Sequence, residues 1–336
     1  MAAADQHEHH TLRDTLVAGG FVTATLACWS ITPVMIRYLA SQTDIDPWTQ
    51  NGWRYGFAAL IWLPVLVIAA SRKRLPSGLL KAAVIPAVVN ALGQVAFVFA
   101  FYHTTAPMVS IGLRSQMVCV AIGAAIFFTA ERRLITRPSF LGALGMVLVG
   151  IIGVLVLGGE ASFEELDGFV YALLAGAGYA FYSIAIRHYM QGVKPALAFA
   201  AVSQYTAIIM LALMFIFAGL LSESGERTFG GDAFNLTPKA WAVMLGSSII
   251  GIAVGHVVFY TSIARLGVAV ASGVVQTQPI WIALLSWLIL DEAGLSPVQW
   301  IGGGIAIAGA VLMLVIQHRT RMAESKQAKA QAAERN

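Results

Sequence analysis

Apolar runs of about twenty residues, the length a membrane helix needs, alternate with short polar stretches along almost the whole chain. They fall near residues 16–38, 48–70, 79–102, 106–129, 139–158, 168–187, 195–221, 240–263, 267–290 and 298–317. At about 1.5 Å rise per residue, such runs span a hydrocarbon core of roughly 30 Å. The pattern predicts an all-α membrane protein of ten transmembrane helices.

The charges between the runs alternate by side. Arg13, Arg72-Lys73-Arg74, Lys81, Arg132, Arg133, Arg137, Arg187, Lys194 and Arg265 fall on one face, with Arg319, Arg321, Lys326, Lys329 and Arg335 of the tail. The other face has Arg227 and Lys239 but is rich in acids, among them Asp44, Asp46, Glu160, Glu164, Glu165, Asp167, Asp291 and Glu292. The positive-inside rule then predicts both termini in the cytoplasm and a multi-pass protein of the plasma (inner) membrane.

Composition agrees with that class and narrows it. The chain is 58% hydrophobic and 11% charged, against roughly 25% charged in soluble domains. Its net charge of +4 sits in short loops and the tail, where topology accounts for it, so no nucleic-acid partner is expected. Cys28 and Cys119 both fall within predicted helices and read as buried free thiols. The first apolar run is too long for the core of a cleavable signal, so it is expected to stay.

The second half of the chain repeats the first. Ala106–Arg133 is echoed by Gly267–Glu292, with Val118 falling on Pro279 and Glu131 on Glu292. In the first and sixth helices one constant offset puts Trp29 on Tyr179, Thr32 on Tyr182 and Arg37 on Arg187. It also lays Arg54-Tyr55 over Gln204-Tyr205. A slightly larger offset matches Gly93-Gln94 to Gly255-His256 and Phe97 to Phe259. The chain therefore divides into a tail (1–14), a first five-helix repeat (15–158), a second (159–318) and a basic tail (319–336). An odd number of helices per repeat inverts one half against the other, a build in which substrates bind near the bilayer midplane.

Candidate chemistry lies in the polar residues inside the runs. Arg37, Arg54 and Arg114 are embedded without a carboxylate beside them in the same helices, and an intramembrane arginine is costly unless it is paired or reaches water. Arg37 and Arg54 lie near helix ends, where they can snorkel. Arg114 lies about eight residues in, roughly 12 Å at about 1.5 Å per residue, and is the candidate to hold an anionic group. Trp29, Tyr179 and Tyr182 can form an aromatic wall. Gln94 and Gln278 can orient a zwitterion or bond helix to helix. His256 is a candidate proton carrier, with a neutral ring bonded to a carbonyl as the simpler reading. Pro33 and Pro279 each free a backbone carbonyl and are candidate hinges. The glycines of the fifth and tenth helices, Gly142, Gly145, Gly150, Gly302, Gly303, Gly304 and Gly309, read as packing contacts. No GxSxG, HExxH, P-loop or CxxC occurs, so neither an enzyme nor a cofactor or metal is expected.

The two five-helix halves, Trp29 with Pro33, the stretch WRYGFAAL from Trp53 to Leu60, and the spacing from Pro279 to Glu292 resemble the drug/metabolite transporter superfamily, in particular its ten-helix EamA-type members. The chain departs from the pattern at Val118, where the second half has Pro279. The resemblance covers about residues 15–318 and extends to the aromatic amino acid exporters. It implies a secondary carrier exporting amino acids or similar small metabolites; the mechanism expected from the embedded residues is alternating access, with Arg114 holding a carboxylate and the aromatic residues holding the side chain. The alternatives are an organic-phosphate or nucleotide-sugar exchanger, or a channel.

Overall fold

The computed structural model describes residues 2–127, 135–157, 163–220, 225–266, 274–292 and 294–334, and these form ten helices. The first four are Ala2–Gln42, Pro47–Ser71, Leu79–His103, and Ala106–Gly112 continued by Ser115–Phe127. The fifth, sixth and seventh are Pro138–Leu157, Phe163–Tyr189 and Pro195–Phe217. The eighth runs from Pro238 to Leu266, the ninth covers Gln278–Leu290, and the tenth covers Pro297–Glu334. Eight of the described stretches are long and apolar enough to cross a membrane, and Pro138–Val154 and Gln278–Leu290 are shorter apolar ones.

The sequence places the helix starts. The second, fifth, seventh, eighth and tenth helices each open on a proline (Pro47, Pro138, Pro195, Pro238, Pro297), where the missing N–H leaves no bond unmade. Asp46 caps the second helix, accepting from the Trp48 and Thr49 amides at 2.8 and 3.1 Å. Its other oxygen takes the Gly219 amide at 3.3 Å, which ties this cap to the end of the seventh helix. Gly219 has φ +85°, a conformation that favours glycine.

Four features depart from expectation. Both segments read as tails continue the end helices, residues 2–14 in the first and residues 319–334 in the tenth. The fourth helix is not continuous but breaks at Leu113-Arg114. The eighth opens into a π-helical stretch over Ser247–Val254, a form that recurs at functional sites. Cys28 and Cys119 are free but half-buried rather than buried. Expectations on Glu131, Arg132, Arg133, Glu160, Arg335 and the start of the ninth apolar run lie outside the described residues.

Helix packing follows the repeat. The third helix packs on the sixth and the first on the eighth, so each half lends a helix to the other. The second packs on the seventh, the fifth on the tenth and the fourth on the ninth. Side chains repeat the relation. A Cβ on Gly255 would lie 2.5 Å from Trp29 Nε1, and one on Gly93 would lie 3.3 Å from Tyr179 Cδ1. Trp29 and Tyr179 are repeat mates, and so are Gly93 and Gly255, so the two contacts are one contact made twice.

Small residues set the closest approaches, as lipid offers no hydrophobic drive between helices. Between the fifth and tenth helices a Cβ on Gly150 would meet the Ala306 nitrogen and the Gly302 carbonyl oxygen at 2.5 Å. Gly309 is as tight, with the Ala143 carbonyl oxygen at 2.7 Å. Gly142, Gly145 and Gly304 have nothing within 4 Å and are not packing contacts, a correction to the uniform reading of these glycines. Gly150→Ala should therefore destabilise the bundle by about 1–3 kcal/mol through overpacking, lowering the thermal midpoint in detergent by a few degrees. Gly145→Ala should leave it unchanged; equal effects of the two substitutions would contradict the assigned interface.

Candidate functional site

Trp29 joins three helices at mid-membrane. Pro33 lacks the N–H that would bond the Trp29 carbonyl four residues back. That carbonyl instead accepts from Gln278 Nε2 of the ninth helix. The Trp29 indole donates at 3.3 Å to the Gly251 carbonyl in the π stretch of the eighth. Its ring meets His256 edge-on at 5.4 Å and Phe259 at 4.7 Å. Thus Trp29, Gln278, His256 and Pro33, which are dispersed in the sequence, form one cluster.

Beside this cluster lies a cleft lined by Tyr55, Asn90, Gln94, Tyr182, Ser203 and His256, with Phe199, Val202 and Ile252 as its apolar wall. Asn90 Nδ2 donates to Thr206 Oγ1 at 3.2 Å, and Gln94 and Asn90 lie near Tyr179 and Tyr55 respectively. The His256 ring stacks on Phe199 at 4.7 Å and 24°, and its Nδ1 donates to the Ile252 carbonyl at 3.1 Å. The volume of this cleft is only about 10 Å³. A metabolite-sized solute therefore enters only when helices part. A larger cavity of about 350 Å³ between the second and seventh helices borders Leu60 and Ile208, which are 64% and 61% exposed, and so opens toward lipid.

Of the residues expected at the site, Gln94, Tyr182 and His256 line the cleft, and Trp29 and Tyr179 adjoin it. Gln278 acts through the Trp29 carbonyl. Pro279 lies at the start of the ninth helix rather than within it. Asn90, Tyr55 and Ser203 were not anticipated. Asn90 is four residues before Gln94, hence on the same helical face, which was the available signal.

The three arginines differ sharply. Arg114 sits at the break in the fourth helix, donates from Nε to the Ser110 carbonyl at 3.1 Å, and bonds Gln276 through Nη1. Gln276 lies just before the ninth helix, one residue past the repeat mate of Arg114, so the pair ties the breaks of the fourth and ninth helices together. Arg37 donates through Nε to Glu292 at 2.6 Å and through Nη1 to the Phe101 carbonyl at 2.5 Å. This ion pair joins the first and ninth helices, from different halves, at the face bearing the acidic loops. The Tyr102 hydroxyl to the Ile45 carbonyl (2.8 Å) and Lys239 over the Tyr38 ring (5.0 Å) close the same face. Arg54, expected to snorkel, is instead 2% exposed, with its Nε on Ser247 Oγ at 2.9 Å.

Ten membrane helices in two related halves around a closed polar cleft are the architecture of a membrane transporter. A protein-family model, the EamA-like transporter family, matches residues 18–160 and again residues 166–315. The chain belongs to the EamA-like transporter family, a family of multi-pass transporters and not of enzymes. A solved structure titled "Crystal structure of protein" is similar in fold, with a TM-score of 0.58 at 16% identity, covering 90% of this chain and 98% of that one. No curated protein matches the chain, and the link to aromatic amino acid exporters finds no support.

The Arg37–Glu292 pair makes the closed face testable. Glu292→Gln removes a charge-assisted bond worth about 1.5–3 kcal/mol, enough to shift an open–closed equilibrium about tenfold or more. With Cys28 and Cys119 replaced by alanine and Thr32 by cysteine, labelling by an impermeant thiol reagent from the acidic face should rise by about that factor. Unchanged labelling would mean that the pair does not hold this face shut.

Proposed function

We propose that the protein is a secondary carrier of the plasma (inner) membrane, with both termini cytoplasmic, that exports amino acids or metabolites of similar size. The observation that carries this reading is the cleft lining: amides, hydroxyls, one imidazole and an aromatic wall, without Lys, Arg, Asp or Glu. Such a lining suits a solute whose charges are few or balanced. A phosphate dianion calls for several cations in contact with it, which the cleft lacks.

Alternating access follows from the placement of the ties. Tyr182, Phe199 and Ser203 lie nearer the basic-loop ends of their helices, while the Arg37–Glu292 pair shuts the acidic-loop ends. In this scheme the form is closed at the acidic-loop face. Rocking of the two halves about the cluster at Trp29 and Pro33 and the break before Pro279 would release the outer ties and re-form them inside. Trp29, Gln94, Tyr179, Tyr182 and His256 contact the solute in this scheme. Arg114 and Gln278 are positioning residues, Arg114 through Gln276.

Counterflow in proteoliposomes tests the reading, with labelled phenylalanine, leucine, threonine and lysine beside glycerol 3-phosphate and a uridine diphosphate sugar. Saturable exchange of at least one amino acid is expected, reduced about tenfold by Gln94→Leu through loss of a polar contact. Exchange of the phosphorylated solutes alone would favour the exchanger. A voltage-driven current without saturation would favour a channel.

A further inference from the structure

Arg54 is the most deeply buried cation among the described residues, at 2% exposure within the second helix. Its one side-chain hydrogen bond is from Nε to Ser247 Oγ, and its buried Nη1 has no acceptor. Among the described residues no carboxylate pairs with it. Charged groups in hydrocarbon are retained where a partner or a pathway requires them. Arg37 and Arg114 have found oxygens in neighbouring helices, and Arg54 keeps donors in reserve.

Its position relates these donors to the cleft. Tyr55, the next residue, lines the cleft, and Ser247 precedes the lining residue Ile252 by a little over one turn of the eighth helix. Helix direction puts Ser247 on the acidic-face side of Ile252. Arg54, bonded to Ser247, therefore lies toward the acidic-loop side of the cleft, the side that the Arg37–Glu292 pair closes. Ser247 Oγ donates to the Met244 carbonyl at 2.9 Å, so its lone pair is fixed on Arg54 Nε and the guanidinium is held in one orientation. Ser248 Oγ donates at 2.6 Å to the Arg54 carbonyl, anchoring the backbone at the same point.

We propose that Arg54 is the anion-binding residue of the transport path, receiving a single carboxylate of the solute through its unpartnered donors. One guanidinium balances one negative charge, which selects a monocarboxylate or zwitterion over a phosphate ester. The surroundings fit that polarity. Tyr55, Tyr102 and Tyr179 are near enough to interact electrostatically with the guanidinium and bring no competing anion at neutral pH. The inference rests on the amino-acid reading above and sharpens it, by assigning the carboxylate to Arg54 rather than Arg114.

The test compares competitors against labelled phenylalanine counterflow: 3-phenylpropionate, which keeps the carboxylate, and phenethylamine, which keeps the amine. For wild type, 3-phenylpropionate should compete about tenfold or more better than its primary amide. In Arg54→Gln that preference should vanish while competition by phenethylamine is retained. Arg54→Lys, which keeps charge without the planar fork, should hold an intermediate preference, and it decides the matter if Arg54→Gln does not fold. A full carboxylate preference in folded Arg54→Gln, or in Arg54→Lys when that variant alone folds, overturns the proposal. If phenylalanine is not carried at all, the amino-acid reading has failed and the anion site is read from thermal unfolding in detergent. A stabilisation by 3-phenylpropionate in wild type that is lost in the Arg54 variants sustains the site; its absence in wild type overturns it.

Discussion

Two helix backbones touch at Gly93 and Gly178, and the cleft depends on that contact. A Cβ on Gly178 would lie 2.6 Å from the Gly93 Cα, so any larger residue there would drive the third and sixth helices apart. The next residue on each helix is a candidate for the solute, Gln94 on one and Tyr179 on the other, and the crossing brings them close together. The repeat mate of this crossing, Trp29 on Gly255, does the same for the first and eighth helices and delivers His256. Two bare backbone positions thus set the width of the polar centre, and aromatic residues fill what they leave.

The rest of the interior answers a single constraint: hydrocarbon offers no water to a polar group, so each must find a protein partner. Pro33 withdraws a donor, and Gln278 supplies one to the orphaned Trp29 carbonyl. The broken fourth helix exposes Arg114, and the corresponding break before the ninth helix brings Gln276 to meet it. The π stretch of the eighth helix offers the Gly251 carbonyl, and the Trp29 indole takes it. Arg54 meets Ser247 through Nε and keeps a buried Nη1 without an acceptor.

Much of this was legible beforehand. Apolar runs and charge alternation marked the ten helices, because a bilayer imposes length and composition on each element independently of its neighbours. The repeat was legible through Trp29 with Tyr179 and Gly93 with Gly255, since duplicated contacts keep their residue types. The carbonyl freed by Pro33 followed from the covalent structure of proline. The role of Arg114 did not follow, because depth along a helix says nothing of what lies across the helix–helix gap. Asn90 and Ser203 escaped for the same reason: a polar residue in a membrane helix reads alike whether it faces a cleft or a neighbour's carbonyl.

The sequence by itself determined the class, the helix count, the duplication and the inventory of polar side chains inside the membrane. These are properties of single segments, set by transfer free energy and by the chemistry of each residue. Only the tertiary structure decided which of three arginines is satisfied and which is not. Arg37 meets Glu292, 255 positions away, and Arg54 meets only Ser247, 193 positions away. Partners that distant are assigned by how the helices pack, and packing is where the close approach of small residues, invisible in any one helix, takes over.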